Sequence, residues 1–161
     1  MIYCMCVKAC NSHYCYGMYS SYNTFVCADL KFTVKYKVEI PSGIAPSPPP
    51  IDVSFPADST AQRVMEIAAN MSNQYQFTVT YYGNFKEYFV DKLSGVENDP
   101  KSKYMYFWKY YFKPPHGAIF DEPQIGINEF FISEGNGELL FQYQHIPSPE
   151  EHAQLKHHKA M

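Results

Sequence analysis

The chain has 161 residues with a formal net charge of −3 at pH 7, and 46% of the residues are hydrophobic. This length and composition suit one folded domain with its own core, and the charge excludes the basic surface that a nucleic acid requires. No stretch approaches the roughly 18 consecutive apolar residues of a membrane span, so we expect none.

Residues 1–30 read as a leader that is rich in cysteine and tyrosine and has no hydrophobic periodicity. All the cysteines lie here: Cys4, Cys6, Cys10, Cys15 and Cys27. Their spacing contains no C-x-x-C pair, so we expect no structural metal site. The segment also has no continuous apolar run of the kind found in signal peptides. We predict that it is poorly ordered.

The first predicted strand follows directly. In "LKFTVKYKVEI", residues 30–40, apolar side chains alternate with lysines and other polar residues, which is typical of a half-buried strand. Residues 41–50, "PSGIAPSPPP", cannot be helical because proline lacks the backbone N–H that a helix needs. "IDVSF", residues 51–55, is predicted as a second, short strand.

The hydrophobic period then changes to that of a helix. Apolar residues at i, i+3, i+4 and i+7 predict one amphipathic helix near residues 59–71 that packs on a sheet through Val64, Ile67, Ala68 and Met71. Ser59 is the predicted N-cap, with Gln62 completing a capping box three residues later.

Further strands are predicted after the helix. Residues 75–81 and 86–93 form a hairpin around Gly83, and 94–102 form a turn-rich loop. An aromatic strand follows at 104–112, and 113–126 form an irregular connection. Residues 128–133 and 138–144 flank the turn signal "EGNG" and predict another hairpin. The tail, 147–161, is polar and rich in histidine, and it is predicted as an exposed surface helix.

The aromatic strand has two different faces. At period two, one face presents only rings: Tyr104, Tyr106, Trp108, Tyr110 and Phe112. The opposite face is mixed and largely basic, with Lys103, Met105, Phe107, Lys109, Tyr111 and Lys113. One interpretation is a core strand with one solvated side, and the other is that some of the rings meet a flat ligand. Even with a ligand bound, we expect Tyr106 or Trp108 to lie partly in the core.

Strands, one helix and then more strands predict an α+β domain over residues 31–146, in which the helix covers a mostly antiparallel sheet. The sequence contains no nucleophile elbow, phosphate-binding loop, dinucleotide fingerprint or H-E-x-x-H helix. Scattered carboxylates and histidines give no argument for a catalytic pair. We therefore expect a binding protein and assign no catalytic residue.

The order of the segments "VSFPADSTAQRVMEIAANMSNQYQFTVTYYG", "SGVENDP", "SKYMYFW" and "QIGINEFFISEGNGELLFQY" resembles the C-terminal β-domain of the transcobalamin, intrinsic factor and haptocorrin family. The similarity runs from about residue 32 to 145. It implies a β-grasp-like fold in which the helix packs on mixed sheets. It also implies a secreted domain that covers one face of cobalamin.

The resemblance implies two cobalamin-contacting segments. Carried over residue by residue, they are Tyr82, Gly83, Tyr88, Phe89, Val90, Tyr106, Trp108, Tyr110, Phe112, Lys113 and Pro114. The chain departs from the family pattern at Lys109, Tyr110 and Tyr111, which are larger or more charged, and residues 116–125 look like an insertion.

The partners implied by the resemblance are cobalamin, a helical-barrel domain that holds its other face, and a cell-surface receptor. The 31 residues before Phe32, the first apolar residue of the first strand, are too few to supply that barrel. The alternative function is an extracellular module that recognises a protein or glycan and binds no corrin.

Overall fold

The computed structural model describes residues 30–100 and 105–146. These contain β1 (Lys31–Glu39), β2 (Ile51–Pro56), α1 (Ala61–Met71), a 3₁₀ turn (Asn73–Tyr75), β3 (Phe77–Tyr82), β4 (Glu87–Leu93), β5 (Val96–Glu97), β6 (Tyr106–Lys113) and β7 (Glu138–His145). The predictions for the leader and for the tail lie outside the described residues.

The main sheet has four strands in the order β2-β1-β7-β6. The outer pairs, β1–β2 and β6–β7, are antiparallel, while β1 and β7 are parallel at the centre. A parallel pair needs a long crossover connection, and here α1 and the remaining strands lie in that connection. The predicted α+β, β-grasp-like fold is confirmed.

The core lies between this sheet and α1, and it is built by the period-two alternation of the strands. Val34, Tyr36 and Val38 of β1 are fully buried or nearly so, while the lysines between them point away. The neighbouring strands contribute Val53, Phe55, Trp108, Phe112, Leu139, Phe141 and Tyr143. Such continuous apolar burial is the main favourable term that holds the domain together.

The N-cap of the helix lies one residue later than predicted. Thr60 is the N-cap, and its Oγ1 accepts a hydrogen bond from the backbone N–H of Arg63 at 3.3 Å. The Ser59 hydroxyl instead donates to the carbonyl of Pro56 at 2.6 Å. The predicted capping box is therefore wrong, and the Gln62 side chain donates to Glu66.

The buried face of α1 is also rotated from the predicted one. Val64 and Ala68 are fully buried and Ile67 packs against the core as predicted, but the other fully buried residues of the helix are Ala61 and Met65. Met71 is 55% exposed, so its predicted contact with the sheet is wrong. At 100° per residue, Met71 lies about 70° from the centre of the face formed by Ala61, Val64, Met65 and Ala68, and it is the last residue of the helix.

The second sheet contains β3, β4 and β5 in that order, all antiparallel. The predicted 75–81 and 86–93 hairpin is confirmed as β3 and β4, although Tyr75 itself lies in the 3₁₀ turn. The loop predicted at 94–102 instead begins with a two-residue hairpin turn into β5. Ser94 and Gly95 both have positive φ, 53° and 83°, as a type I′ turn requires.

The predicted hairpin across residues 134–137 is wrong. β7 pairs with β6 and β1, whereas residues 128–133 form only one bridge, between Phe131 and Thr60. This segment supplies carbonyls for the start of the helix: Phe130 accepts from Ala61 and Ile127 accepts from Gln62. The first helical N–H groups need such partners because no earlier turn provides them.

With 11 residues, α1 is much shorter than a bilayer-crossing helix, and nothing helical in the described ranges has the length and apolarity of such a span.

Candidate functional site

The two sheets meet along the outer edge of β6. The indole N–H of Trp108 donates to the carbonyl of Val96 at 2.9 Å, and the Trp108 backbone N–H donates to Oδ1 of Asn98 at 2.8 Å. Tyr106 exchanges backbone hydrogen bonds with Asp99. These contacts fix β5 and residues 98–99 against the first half of β6.

The all-aromatic face of β6 points mainly into the core, as the first of the two sequence interpretations predicted. Trp108 and Phe112 are each only 8% exposed. Tyr106 stacks on Tyr143 with ring centroids 5.2 Å apart, and Tyr110 stacks on Phe141 at 5.8 Å. Aromatic packing therefore explains most of this face, and the expectation that Tyr106 or Trp108 is partly core is confirmed.

An open groove of about 330 Å³ runs beside this edge of β6. Its walls come from β4, β6, the connection after β6 and the residue that follows β7: Phe89, Phe107, Trp108, Lys109, Tyr110, Glu122, Pro123, Gln124, Ile125 and Ile146. The volume is at the lower end of the roughly 300–1,000 Å³ typical of small-molecule sites. The groove can hold only part of a ligand as large as a corrin.

The groove has apolar walls with a few fixed polar groups. Phe89 is 42% exposed and forms one wall. Lys109 forms an ion pair with Glu122 at 2.7 Å, and the Tyr110 hydroxyl donates to the carbonyl of Ile125 at 2.7 Å. Burial raises the pKa of Tyr110, and the nearby Glu87 carboxylate raises it further, so the hydroxyl stays protonated and remains a donor.

An exposed aromatic patch continues from the groove onto the β3–β4 hairpin. It consists of Tyr82, Phe85 and Phe89, which are between 42% and 68% exposed. Tyr82 and Phe89 contact each other edge to face at 5.3 Å, whereas Tyr81 contacts Tyr88 at 5.0 Å on the opposite face of the hairpin. Exposed rings that touch, as Tyr82 and Phe89 do, mark interaction sites more often than isolated ones do.

The structure brings together only part of the predicted site. Phe89, Trp108 and Tyr110 line the groove, with Tyr82 beside Phe89. Gly83 lies exposed in the hairpin turn.

The remaining predicted site residues lie elsewhere. Tyr88 donates its backbone N–H to Asn128, Val90 is buried at 6% exposure, and Tyr106 and Phe112 pack in the core. Lys113 pairs with Glu138 at 3.3 Å, and Pro114 begins the turn that closes at Gly117.

Sequence analysis did not select Phe107 or Ile125 for the site. Phe107 is an apolar residue on the lysine-bearing face of β6, and this feature of the sequence could have identified it as a site residue. Ile125 lies in the irregular connection 113–126, where no periodicity indicates which side chains turn inward. In the described ranges, no group of three or more His, Cys, Asp or Glu side chains is placed to hold a metal ion.

Comparison with known proteins gives a match at the level of structure. No protein-family model matches the sequence, and no curated protein is significantly similar to it. Among solved structures, a crystal structure of haptocorrin in complex with Cbi matches with a TM-score of 0.59 and 15% sequence identity. The match covers 76% of this chain but 29% of haptocorrin.

At that identity the similarity establishes the fold alone. The comparison shows that this chain is an α+β domain with the fold of one part of haptocorrin. The predicted resemblance is therefore confirmed at the level of the fold. The chain spans less than a third of the length of the protein that it matches.

Proposed function

We propose that this chain is a corrinoid-binding domain that covers one face of cobalamin and shares the ligand with a second, helical domain. The observation that carries the proposal is the convergence of Phe89 from one sheet and Phe107 from the other on a single open groove. These two positions lie in the two segments that the family resemblance implies. The fold shared with haptocorrin, solved in complex with Cbi, supports the same conclusion.

The chemistry of the groove suits the edge of a corrin. Phe89 and Phe107 offer flat apolar contact to the ring, and the backbone and side-chain polar groups of β6 offer hydrogen bonds to its peripheral amides. Binding leaves the ligand chemically unchanged in this proposal, so the chain is not an enzyme. An extracellular location follows from the same family resemblance and belongs to the proposal.

The test is calorimetric titration with cyanocobalamin of the wild type and of Phe89→Ala and Phe107→Ala. We expect each substitution to weaken binding about fivefold or more, which is the loss of a significant interface aromatic. Phe131→Ala is the matched control, because Phe131 is 57% exposed and lies outside the groove beside Thr60. Equal weakening by Phe131→Ala would place the ligand elsewhere.

The exposed aromatic patch on the β3–β4 hairpin favours a second candidate function, recognition of a protein or glycan. Phe85, at the tip, is 68% exposed and does not line the groove, so the corrin proposal does not account for it. Absence of binding at millimolar cyanocobalamin would favour this second function.

A further inference from the structure

The outer edge of β6 is covered at both ends and open in the middle. Every second residue of β6 turns its backbone groups away from β7. Tyr106 does so toward Asp99, and Phe112 exchanges two hydrogen bonds of 2.9 Å with Asp121. The β6–β7 register contains no shift, so Trp108 and Tyr110 present their backbone groups to the same side.

Three backbone groups on this edge have no hydrogen-bond partner among the described residues. Trp108 donates its N–H to Asn98, but its carbonyl is unpaired. The N–H and the carbonyl of Tyr110 are also unpaired. Along the edge, the order is therefore the Trp108 carbonyl as acceptor, the Tyr110 N–H as donor and the Tyr110 carbonyl as acceptor. These groups lie beside the groove that Trp108 and Tyr110 line.

Pro123 explains why the chain itself leaves this edge open. Asp121 runs antiparallel to β6 opposite Phe112, so two residues further along, Pro123 would stand opposite Tyr110. Proline has no N–H to give to the Tyr110 carbonyl and cannot continue a strand ladder. The covering segment therefore stops pairing at Asp121, and Pro123 becomes part of the groove wall.

We infer that this open edge binds a carboxamide side chain of the corrinoid through the backbone N–H of Tyr110 and an adjacent carbonyl of Tyr110 or Trp108. The inference rests on the proposed function. A primary amide carries one acceptor oxygen beside N–H donors, so it matches the donor of Tyr110 and one flanking carbonyl at the same time.

The opening in the edge of β6 is long enough for one amide group but too short for a paired peptide strand. Trp108 and Tyr110 are two residues apart, which corresponds to about 7 Å along a strand. Asn98 closes one end of the opening and Asp121 closes the other. An extended peptide would need these positions for its own ladder, whereas a single amide fits between them.

The charge pattern also excludes a carboxylate as the preferred group. A carboxylate is only an acceptor, so it would match the Tyr110 N–H but face two carbonyl oxygens without a proton to share. The nearest cation lining the groove, Lys109, is already paired with Glu122.

Amide hydrogen exchange measured residue by residue tests the inference on the full chain. In the free protein, we expect the Tyr110 N–H to exchange at least about tenfold faster than the N–H groups of Trp108 and Phe112, which are hydrogen bonded in the same strand. Saturating cyanocobalamin should slow the Tyr110 N–H by about tenfold or more and leave Phe112 unchanged. A Tyr110 N–H that is already protected in the free protein would overturn the inference.

A second experiment compares the calorimetric affinity of the chain for cyanocobalamin with its affinity for a derivative whose side-chain amides are hydrolysed to carboxylates. We expect the derivative to bind about tenfold more weakly, because its carboxylates would face the carbonyls of Trp108 and Tyr110 without a proton to share. Equal affinity, or calorimetric binding without protection of Tyr110, overturns the carboxamide contact but leaves the proposed function in place. No binding of cyanocobalamin overturns both.

Discussion

Trp108 donates its indole N–H to the backbone carbonyl of Val96 at 2.9 Å, and this bond joins the two sheets. The ring is only 8% exposed and contacts Tyr143, so it is a core residue that also forms the inner wall of the groove. A ligand in the groove therefore touches a residue on which the fold depends.

Trp108→Ala should destabilise the domain by about 3–5 kcal/mol, because it leaves a large cavity in the core. Trp108→Phe should cost about 1–2 kcal/mol, chiefly through the unpaired Val96 carbonyl. Denaturant unfolding followed by far-UV circular dichroism measures both, since the only tryptophan is removed. Phe85→Ala, at an exposed position, should stay within roughly 0.5 kcal/mol of wild type. A similar loss at both sites would contradict the assigned role of Trp108.

Tyr36 and Tyr75 provide a matched pair for testing buried hydroxyls. Their rings touch at 5.7 Å, and they are 0% and 1% exposed. The Tyr75 hydroxyl donates to the carbonyl of Pro49, whereas the Tyr36 hydroxyl has no partner among the described residues. Tyr36→Phe should leave the free energy of unfolding unchanged or raise it by up to about 1 kcal/mol, while Tyr75→Phe should lower it by about 1 kcal/mol. The reverse order in thermal melts would show that Tyr36 has a partner.

Glu138 should make the stability depend on pH. Hydrogen bonding to the Lys37 ammonium lowers the pKa of the Glu138 carboxyl, and Lys113 lowers it further, against the opposing effect of partial burial. A lowered pKa means that this stabilisation is present above the unfolded-state value of about 4.3 and is lost as the pH falls through the folded-state value.

Glu138→Gln should therefore cost up to about 1 kcal/mol at pH 7, and the difference from wild type should shrink below about pH 4. Urea unfolding at several pH values measures it. Glu134→Gln, in the exposed turn before β7, is the control and should show no such trend. A difference that persists at pH 3 would mean that Glu138 acts through packing instead of charge.

Removal of residues 1–29 should leave the domain folded. The described core is formed entirely by residues from Phe32 onward, and the cysteines all lie in the removed segment. We expect the midpoint of thermal unfolding to change by less than about 4 °C, the shift that corresponds to roughly 1 kcal/mol for a domain of this size. A larger drop would show that the leader packs on the domain.

The isolated chain should bind cyanocobalamin with micromolar or weaker affinity. Small-molecule sites usually bury about 70–90% of their ligand, and one open groove covers only one face of a corrin. Binding must also offset a loss of translational and rotational freedom of about 4 kcal/mol or more. A helical partner domain should raise the affinity by making the second contact effectively intramolecular. Nanomolar binding by the monomer alone would contradict the shared-site proposal.

The sequence by itself determined the local elements. Period-two alternation located β1, β3 and the two faces of β6, and the change to a helical period located α1, because side-chain direction follows directly from backbone repeat. It did not determine which strands pair. The turn signal at 134–137 predicted a local hairpin, but the parallel pairing of β7 with β1 joins residues about a hundred positions apart.

Only the tertiary structure decided the site. Phe89 and Phe107 line one groove because two separate sheets are docked along β6, and Trp108 packs in the core against Tyr143 while its indole N–H reaches Val96. The open edge at Tyr110 depends on where Pro123 falls relative to Asp121, which is a matter of register. Register and docking are set by the summed packing of distant segments, and a periodicity read within one segment contains no information about them.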